Sequence, residues 1–172
     1  DRLERNWRGR MEIEGNNFQS GAIVALGPGI AASGYDYSGI PSRLRIKIEV
    51  AADAPLGLRD IMVTNPDGGR GLLAGKLTVF QNPSIVSVSP AGKPRGWAGD
   101  ITVKGNNFQR GAALNFGGGI VVNSVTFKNE RELVANLKIS ANARLGARKI
   151  EAVNPDGGAG RMENGFRVEK SP

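Results

Sequence analysis

The side chains of this chain that could do chemistry are mainly carboxylates and a few aromatic rings. The 172 residues include no cysteine and no histidine, which excludes disulfides, thiol and histidine-based nucleophile systems, and the usual zinc and copper sites. Carboxylates such as Asp53, Asp60, Asp67 and Asp156 fall in predicted turns or on the wet faces of predicted strands, and their spacing places no two of them in one cleft. We therefore predict a protein without enzyme activity, cofactor or metal site.

The most distinctive aromatic cluster is Tyr35-Asp36-Tyr37, which has no evident counterpart in the stretch 121–127. Aromatic faces beside carboxylate or amide groups can stack on sugars, so we take these three residues as the candidate ligand contact, in an exposed or half-exposed loop. The alternative is that one tyrosine covers a domain edge with its hydroxyl hydrogen-bonded. Trp7 and Trp97 could add to a sugar platform, but they recur at equivalent positions, which favours a shared packing role.

The charge distribution bears on nucleic acid as a partner. The formal net charge is +7 and the sequence pI is about 10.1. Residues 1–80 carry 10 basic and 9 acidic side chains, a net +1, while residues 84–172 carry 13 and 7, a net +6. No run of five or six like charges occurs, so the charge pattern favours a solvated cationic surface over a nucleic-acid partner.

The chain is an internal duplication. Gly-Asn-Asn-Phe-Gln at 15–19 returns at 105–109, and Asn-Pro-Asp-Gly-Gly at 65–69 returns at 154–158. The two spacings are 90 and 89 residues, which is the length of one small β-sandwich and not of a solenoid unit. We predict a first domain over residues 1–80, a second over 84–172, and a short linker, 81–83, whose Pro83 limits flexing between them.

Alternating apolar and polar residues predict strands in both copies. Each set has one apolar face and one wet face, as two packed sheets require, and no sustained helical stripe occurs. The fold class is therefore all-β. The apolar positions are Met11 and Ile13, Leu44 to Val50 in alternation, Ile61 and Val63, Leu77 and Val79, and in the second copy Ile101 and Val103, Leu133 to Ile139 in alternation, Ile150 and Ala152, Phe166 and Val168.

The repeated Asn-Pro-Asp-Gly sequences are predicted to be hairpin turns. Proline presets φ, the aspartate forms turns, and the glycines accept positive φ. A calcium site would need several more oxygen donors than one carboxylate. The turn residues are Asn65, Pro66, Asp67 and Gly68 in the first copy, and Asn154, Pro155, Asp156 and Gly157 in the second.

A second repeated feature is an Ala-x-Leu-Gly corner that ends in Gly57 and Gly146. Its recurrence predicts that both glycines occupy a backbone position requiring unusual φ or close packing.

These motifs together resemble the IPT/TIG family. The resemblance rests on the Gly-Asn-Asn-Phe opening, the strand ending in Phe116-Gly117, the corner at 143–146 and the Asn-Pro-Asp-Gly-Gly hairpin, and it covers nearly the whole chain. The first copy departs by having Leu26 in place of Phe116 and by a divergent stretch, 31–42. The resemblance implies two tandem immunoglobulin-like (E-set type) β-sandwiches.

The family implies a fold more strongly than a function. Its modules occur as spacers and ligand-contacting domains of bacterial surface proteins, as accessory domains of carbohydrate-active enzymes, and in Rel-type transcription factors. The leading hypothesis is a non-catalytic segment of a larger bacterial cell-surface or secreted protein, acting as a spacer and interaction or assembly module. Its partners would be other domains of the parent protein, another subunit or a glycan. Alternatives are a carbohydrate-binding accessory module and a basic nucleic-acid-binding module.

The first copy also lacks a counterpart of the apolar stretch Ser84–Ser89, which opens the second copy. We expect the chain to be an excised piece whose first domain has fewer strands and the lower stability of the two. The neighbouring strand would then be an open edge, covered by water, by residues 1–6 in part, or by a strand donated from another chain.

Overall fold

The computed structural model describes residues 1–37 and 39–171, which form fifteen strands and no helix. The chain divides into two compact units, unit 1 from Asp1 to Gln81 and unit 2 from Asn82 onwards. No helix long and apolar enough to cross a membrane occurs in the described parts of the chain.

Unit 1 contains seven strands in two sheets. One sheet has the order β1-β7-β6-β3 and the other the order β2-β5-β4. All neighbours are antiparallel except β1 and β7, which run parallel. The strands are β1 (Arg2–Glu4), β2 (Arg8–Glu14), β3 (Ile23–Ala25), β4 (Ile30–Asp36), β5 (Arg43–Val50), β6 (Gly57–Thr64) and β7 (Arg70–Phe80).

Unit 2 repeats this arrangement with one additional strand. Its sheets have the orders β11-β14-β15-β9 and β12-β13-β10-β8, and β9 runs parallel to β15. The additional strand is β8, which pairs antiparallel with β10. The strands are β8 (Ser84–Ser89), β9 (Gly92–Pro94), β10 (Ala98–Asn106), β11 (Ala113–Asn115), β12 (Ile120–Asn129), β13 (Glu132–Ile139), β14 (Gly146–Val153) and β15 (Ala159–Glu169).

The alternating apolar residues form one core per unit. Leu44, Ile46, Ile48 and Val50 on β5 are all buried, and so are the matching residues of β13. In unit 2 the rings of Phe116 and Phe166 pack edge to face with centroids 5.5 Å apart, where unit 1 has the smaller Leu26. Each unit is therefore an immunoglobulin-like β-sandwich, and the predicted all-β fold class is confirmed.

The glycine corners are confirmed as backbone requirements. Gly57 has φ +105° and Gly146 has φ +110°, a region that side chains with a Cβ rarely adopt. A Cβ at either position would meet no neighbour within 4 Å, so the requirement is conformational and not one of close packing.

Candidate functional site

The two repeated polar motifs of unit 1 bind one another. Asn65 Nδ2 donates to the carbonyl oxygen of Asn17 at 2.8 Å, and Asn65 Oδ1 accepts from the Gln19 N–H at 3.2 Å. Gln19 Nε2 donates to Asp67 Oδ2 at 2.6 Å, and Asp67 Oδ1 accepts from the Gly69 N–H at 2.8 Å. We call this arrangement the asparagine clamp, because one amide side chain holds the 15–19 loop to the 65–69 turn.

Unit 2 contains the same clamp with equivalent residues. Asn154 Nδ2 donates to the Asn107 carbonyl at 2.7 Å, and its Oδ1 accepts from the Gln109 N–H at 3.1 Å. Gln109 also donates to Asp156, which accepts from the Gly158 N–H. Asn154 is only 2% exposed. The local turn preferences predict two separate turns, whereas the joint recurrence of both motifs in the two copies is the sequence signal that they interact.

The asparagine clamp also lowers the pKa of one carboxylate, that of Asp67. The Gly69 N–H and then the Gln19 side chain hold the pKa of Asp67 below its usual value, since both donate to the ionised form. In the part of the chain that the structure describes, no three Asp, Glu, His or Cys side chains are grouped so as to hold a metal ion. The clamp's hydrogen bonds join the 15–19 loop to the 65–69 turn.

Of the candidate ligand contact at Tyr35, Asp36 and Tyr37, only Tyr37 lies outside a strand, contrary to the expectation that all three residues form a loop. Tyr35 and Asp36 belong to edge strand β4, where Asp36 pairs with Arg45 of β5. The cross-strand hydrogen bonds of β5 extend β4 to this point, so the stretch has a counterpart in β12 after all. Ser38, which follows Tyr37, lies outside the described residues.

The two tyrosines have different environments. The Tyr35 hydroxyl lies 3.4 Å from the Val24 nitrogen in the opposite sheet, while the residue stays 38% exposed. Tyr37 is half-buried against the unit 1 core. Tyr35 thus covers the gap between β4 and β3 and still presents part of its ring to solvent.

The tryptophans pack on glycines of their own segments. A Cβ on Gly9 would lie 2.3 Å from the Trp7 ring, and one on Gly99 would lie 2.7 Å from the Trp97 ring. Both rings are half-buried against their cores. This supports the shared packing role over a sugar platform.

The outward surface of β2 and β5 differs from the corresponding surface of β10 and β13. In unit 1 Arg45 Nε donates to Glu12 at 2.7 Å, and this hydrogen bond lowers the pKa of Glu12. Arg10 and Lys47, by contrast, are two cations directly opposite each other. We call this surface the charged face; it comprises Arg8, Arg10, Glu12 and Glu14 of β2 and Arg43, Arg45, Lys47 and Glu49 of β5.

On the corresponding face of unit 2, asparagine side chains form a row of hydrogen bonds that ends at Asp100. Asn136 Nδ2 donates to Asp100 at 2.6 Å, and Asn123 donates to Asn136 at 2.9 Å. The residues that the duplication preserves hold the fold, whereas those on the outward faces have diverged.

Comparison with known proteins gives one family model, described as quinohemoprotein amine dehydrogenase, alpha subunit domain III, which matches residues 82–155. This is less than half of the chain and is not the IPT/TIG family, so membership of that family stays a proposal. A haem would need an axial His, Cys, Met or Tyr, and residues 82–155 contain none of these four types. The matched segment therefore does not fit haem ligation. Among curated proteins, none matches the chain in sequence.

Solved structures of low sequence identity align with nearly the whole of this chain. A Bacteroides ovatus surface glycan-binding protein of a mixed-linkage glucan utilization locus is 16% identical, with a TM-score of 0.36, over 98% of this chain and 43% of that one. The Prevotella bryantii surface glycan-binding protein is 14% identical, with a TM-score of 0.41, over 96% and 37%. Domains 5–6 of the S-layer protein SbsC are 12% identical, with a TM-score of 0.36, over 99% and 93%. The chain thus spans less than half the length of the two glycan-binding proteins, and the immunoglobulin-like fold rests on its own sheet topology.

Proposed function

We propose that this chain is a non-catalytic pair of IPT/TIG-like modules within a larger bacterial cell-surface or secreted protein, where it acts as a spacer and a protein-interaction or assembly module. The observation that carries the proposal is that the residues repeated in both units hold loops together, while the outward-facing residues differ between the units. The repeated polar side chains hold loops of their own sandwich through the asparagine clamp. The exposed side chains on the outward face of β2 and β5 differ from those on β10 and β13.

The distribution of ionisable groups supports a non-catalytic role. Asp67 is held by Gly69 and Gln19, and Glu12 by Arg45, so the two carboxylates with lowered pKa values serve local hydrogen bonds. General acid–base catalysis instead requires a group poised near the working pH and within reach of a substrate.

Deletion of residues 1–172 from the parent protein tests this role. We expect the activity of the remaining domains to persist, while assembly with other subunits or correct display at the cell surface is lost. Loss of an enzymatic activity of the parent, restored by adding the separate chain, would contradict the proposal.

A carbohydrate-binding module is the second candidate. It is favoured by the partial exposure of Tyr35, and two of the similar solved structures are named as surface glycan-binding proteins. It is tested on a glycan array with the intact chain and Tyr35→Ala. Saturable glycan binding that Tyr35→Ala weakens, with an unchanged melting temperature, would replace the leading proposal.

Nucleic-acid binding would rest on the basic second unit, since residues 84–172 carry a net charge of +6. It is tested by measuring the affinity of the intact chain for duplex DNA over a range of salt concentrations. Binding that falls steeply with salt would favour this function; we expect no such binding.

A further inference from the structure

Unit 2 has a surface depression of ≈ 540 Å³ beside the corner that leads into β14. The two charged side chains that line it are both arginines, and neither forms an ion pair with a carboxylate in the part of the chain that the structure describes. A concave surface with two guanidinium groups and no acid favours an anionic ligand. The lining residues are Gly118, Gly119, Asn142, Ala143, Arg144 and Arg148.

The guanidinium group of Arg148 is held in place by the backbone of the corner. Its Nη1 donates to the Ala147 carbonyl at 3.1 Å, and its Nη2 donates to the Arg144 carbonyl. Its Nε is buried and has no hydrogen-bond partner among the described residues. Because a guanidinium carries five N–H groups, these two hydrogen bonds fix its orientation and leave donors for a ligand.

Three uncharged donors line the same depression. Asn142 Oδ1 accepts from the Ser140 hydroxyl, whereas Asn142 Nδ2 donates to no described atom. The N–H groups of Gly118 and Gly119 are likewise without an acceptor among the described residues. Positive φ at Gly117 and Gly119 flanks this turn, and turns in which the sign of φ alternates can present successive N–H groups to an anion.

Unit 1 has the same corner without these groups. A Cβ on Gly29 would lie 2.7 Å from the Ala54 Cβ, and one on Gly119 would lie 2.9 Å from the Ala143 Cβ, so the two corners align residue by residue. Each difference in unit 1 removes a donor or adds a negative charge, although Arg59 keeps the backbone contacts of Arg148. The differences are Pro28 for Gly118, Asp53 for Asn142 and Pro55 for Arg144.

We propose that unit 2 binds a doubly charged phosphate group in this depression, between Arg144 and Arg148. The two guanidinium groups balance the charge of a phosphate dianion, and arginine pairs with phosphate oxygens through parallel hydrogen bonds. Asn142 Nδ2 and the N–H groups of the 118–119 turn donate to the remaining oxygens. The volume lies in the range of sites for small organic ligands, which leaves room for the group that a phosphate monoester carries. The inference does not depend on the proposed spacer role.

The test titrates the intact chain with inorganic phosphate and, separately, with glucose 6-phosphate at about pH 8, where the phosphate groups are mainly dianions. Nuclear magnetic resonance follows the backbone amides of Gly118 and Gly119. We expect saturable shifts of both amides, and at least about tenfold weaker binding to Arg144→Gln, which loses one charged donor group. This variant should fold normally, since only the backbone carbonyl of Arg144 makes a hydrogen bond within the described residues.

Two further variants separate the site from the net charge of the unit. Arg131→Gln removes the same charge at the opposite end of β13 from the depression and should bind like the wild type. Gly118→Pro removes one N–H group and should weaken binding, as followed by the Gly119 amide. It should keep the fold, because Pro28 occupies the same turn position in unit 1.

Tighter binding of glucose 6-phosphate than of inorganic phosphate would support a monoester as the ligand, and equal binding would support recognition of the phosphate group alone. The proposal is overturned if neither compound shifts the two amides, or if Arg144→Gln binds as tightly as the wild type. Equal weakening by Arg131→Gln, or equal shifts with acetate at the same ionic strength, would show a general charge effect and would also overturn it.

Discussion

At the scale of single residues, Asn65 and Asn154 explain why the same short motifs recur in both units. An amide side chain offers a donor and an acceptor at once. Each asparagine uses the donor on a backbone carbonyl and the acceptor on a backbone N–H of the facing loop. Neither a carboxylate nor an aliphatic side chain could satisfy both groups in this position.

Replacement of Asn154 by alanine should destabilise unit 2 by about 1–3 kcal/mol, because it leaves buried loop groups without a partner. Urea unfolding followed by Trp97 fluorescence measures the loss. The matched variant Asn65→Ala should lose less, since Asn65 is only half-buried and water can replace its hydrogen bonds. A smaller loss for Asn154→Ala than for Asn65→Ala would contradict this explanation.

Asp67 should make unit 1 sensitive to acid. Its pKa is lower in the folded chain than in the unfolded chain, so it contributes stability above its unfolded pKa of about 3.9. That contribution is lost as the pH falls from about 4 through the lower folded pKa. Urea midpoints of unit 1 between about pH 2 and 6 should therefore fall less steeply on acidification in Asp67→Asn than in the wild type. Asp53→Asn, at an exposed turn residue outside the clamp, should keep the wild-type profile.

At the scale of elements, the corners that lead into β6 and β14 are held from both sides. Arg5 Nε donates to the Ala54 carbonyl at 2.7 Å, and Arg95 Nε donates to the Ala143 carbonyl at 2.6 Å. Strands β6 and β14 each begin at the glycine with positive φ, Gly57 and Gly146. The arginine hydrogen bond and the glycine with positive φ therefore lie within a few residues of each other where β6 and β14 begin.

Substitution Gly146→Val should destabilise unit 2 by more than about 1 kcal/mol, because a β-branched residue is strained at φ +110°. The free energy of unfolding from urea titration is the measurement. The matched variant Gly118→Val is free of neighbours and lacks a positive φ, so it should change stability much less. Equal effects of the two substitutions would show that the backbone conformation is not the cause.

At the scale of the whole molecule, two copies of one fold differ in how completely their cores are covered. Unit 2 has eight strands and unit 1 has seven within the described residues. Phe18 is 9% exposed in unit 1 and Phe108 is 2% exposed in unit 2. Because apolar area removed from water stabilises a fold at about 25 cal/mol per Å², the less covered unit should be the less stable one.

We expect two unfolding transitions, with unit 1 melting first. Trp7 lies in unit 1 and Trp97 in unit 2, so the variants Trp7→Phe and Trp97→Phe each leave a single fluorescent reporter of one unit. The Trp7 signal should change at the lower temperature. Coincident transitions in the two variants would indicate that the units unfold together and that the difference in coverage has no measurable effect.

The strand pattern and the turns were predictable from short stretches of sequence, because period-2 alternation and the φ preferences of glycine and proline act over a few residues. The buried alternation of β5 and the positive φ of Gly57 and Gly146 were predictable for that reason, and the duplication is visible as repeated motifs. The approach of Asn65 to the loop of Asn17 and the extension of β4 through Tyr35 became visible in the folded structure. These features depend on contacts between residues far apart in the chain, which local preferences do not encode, and on which strand lies beside which in the completed sandwich.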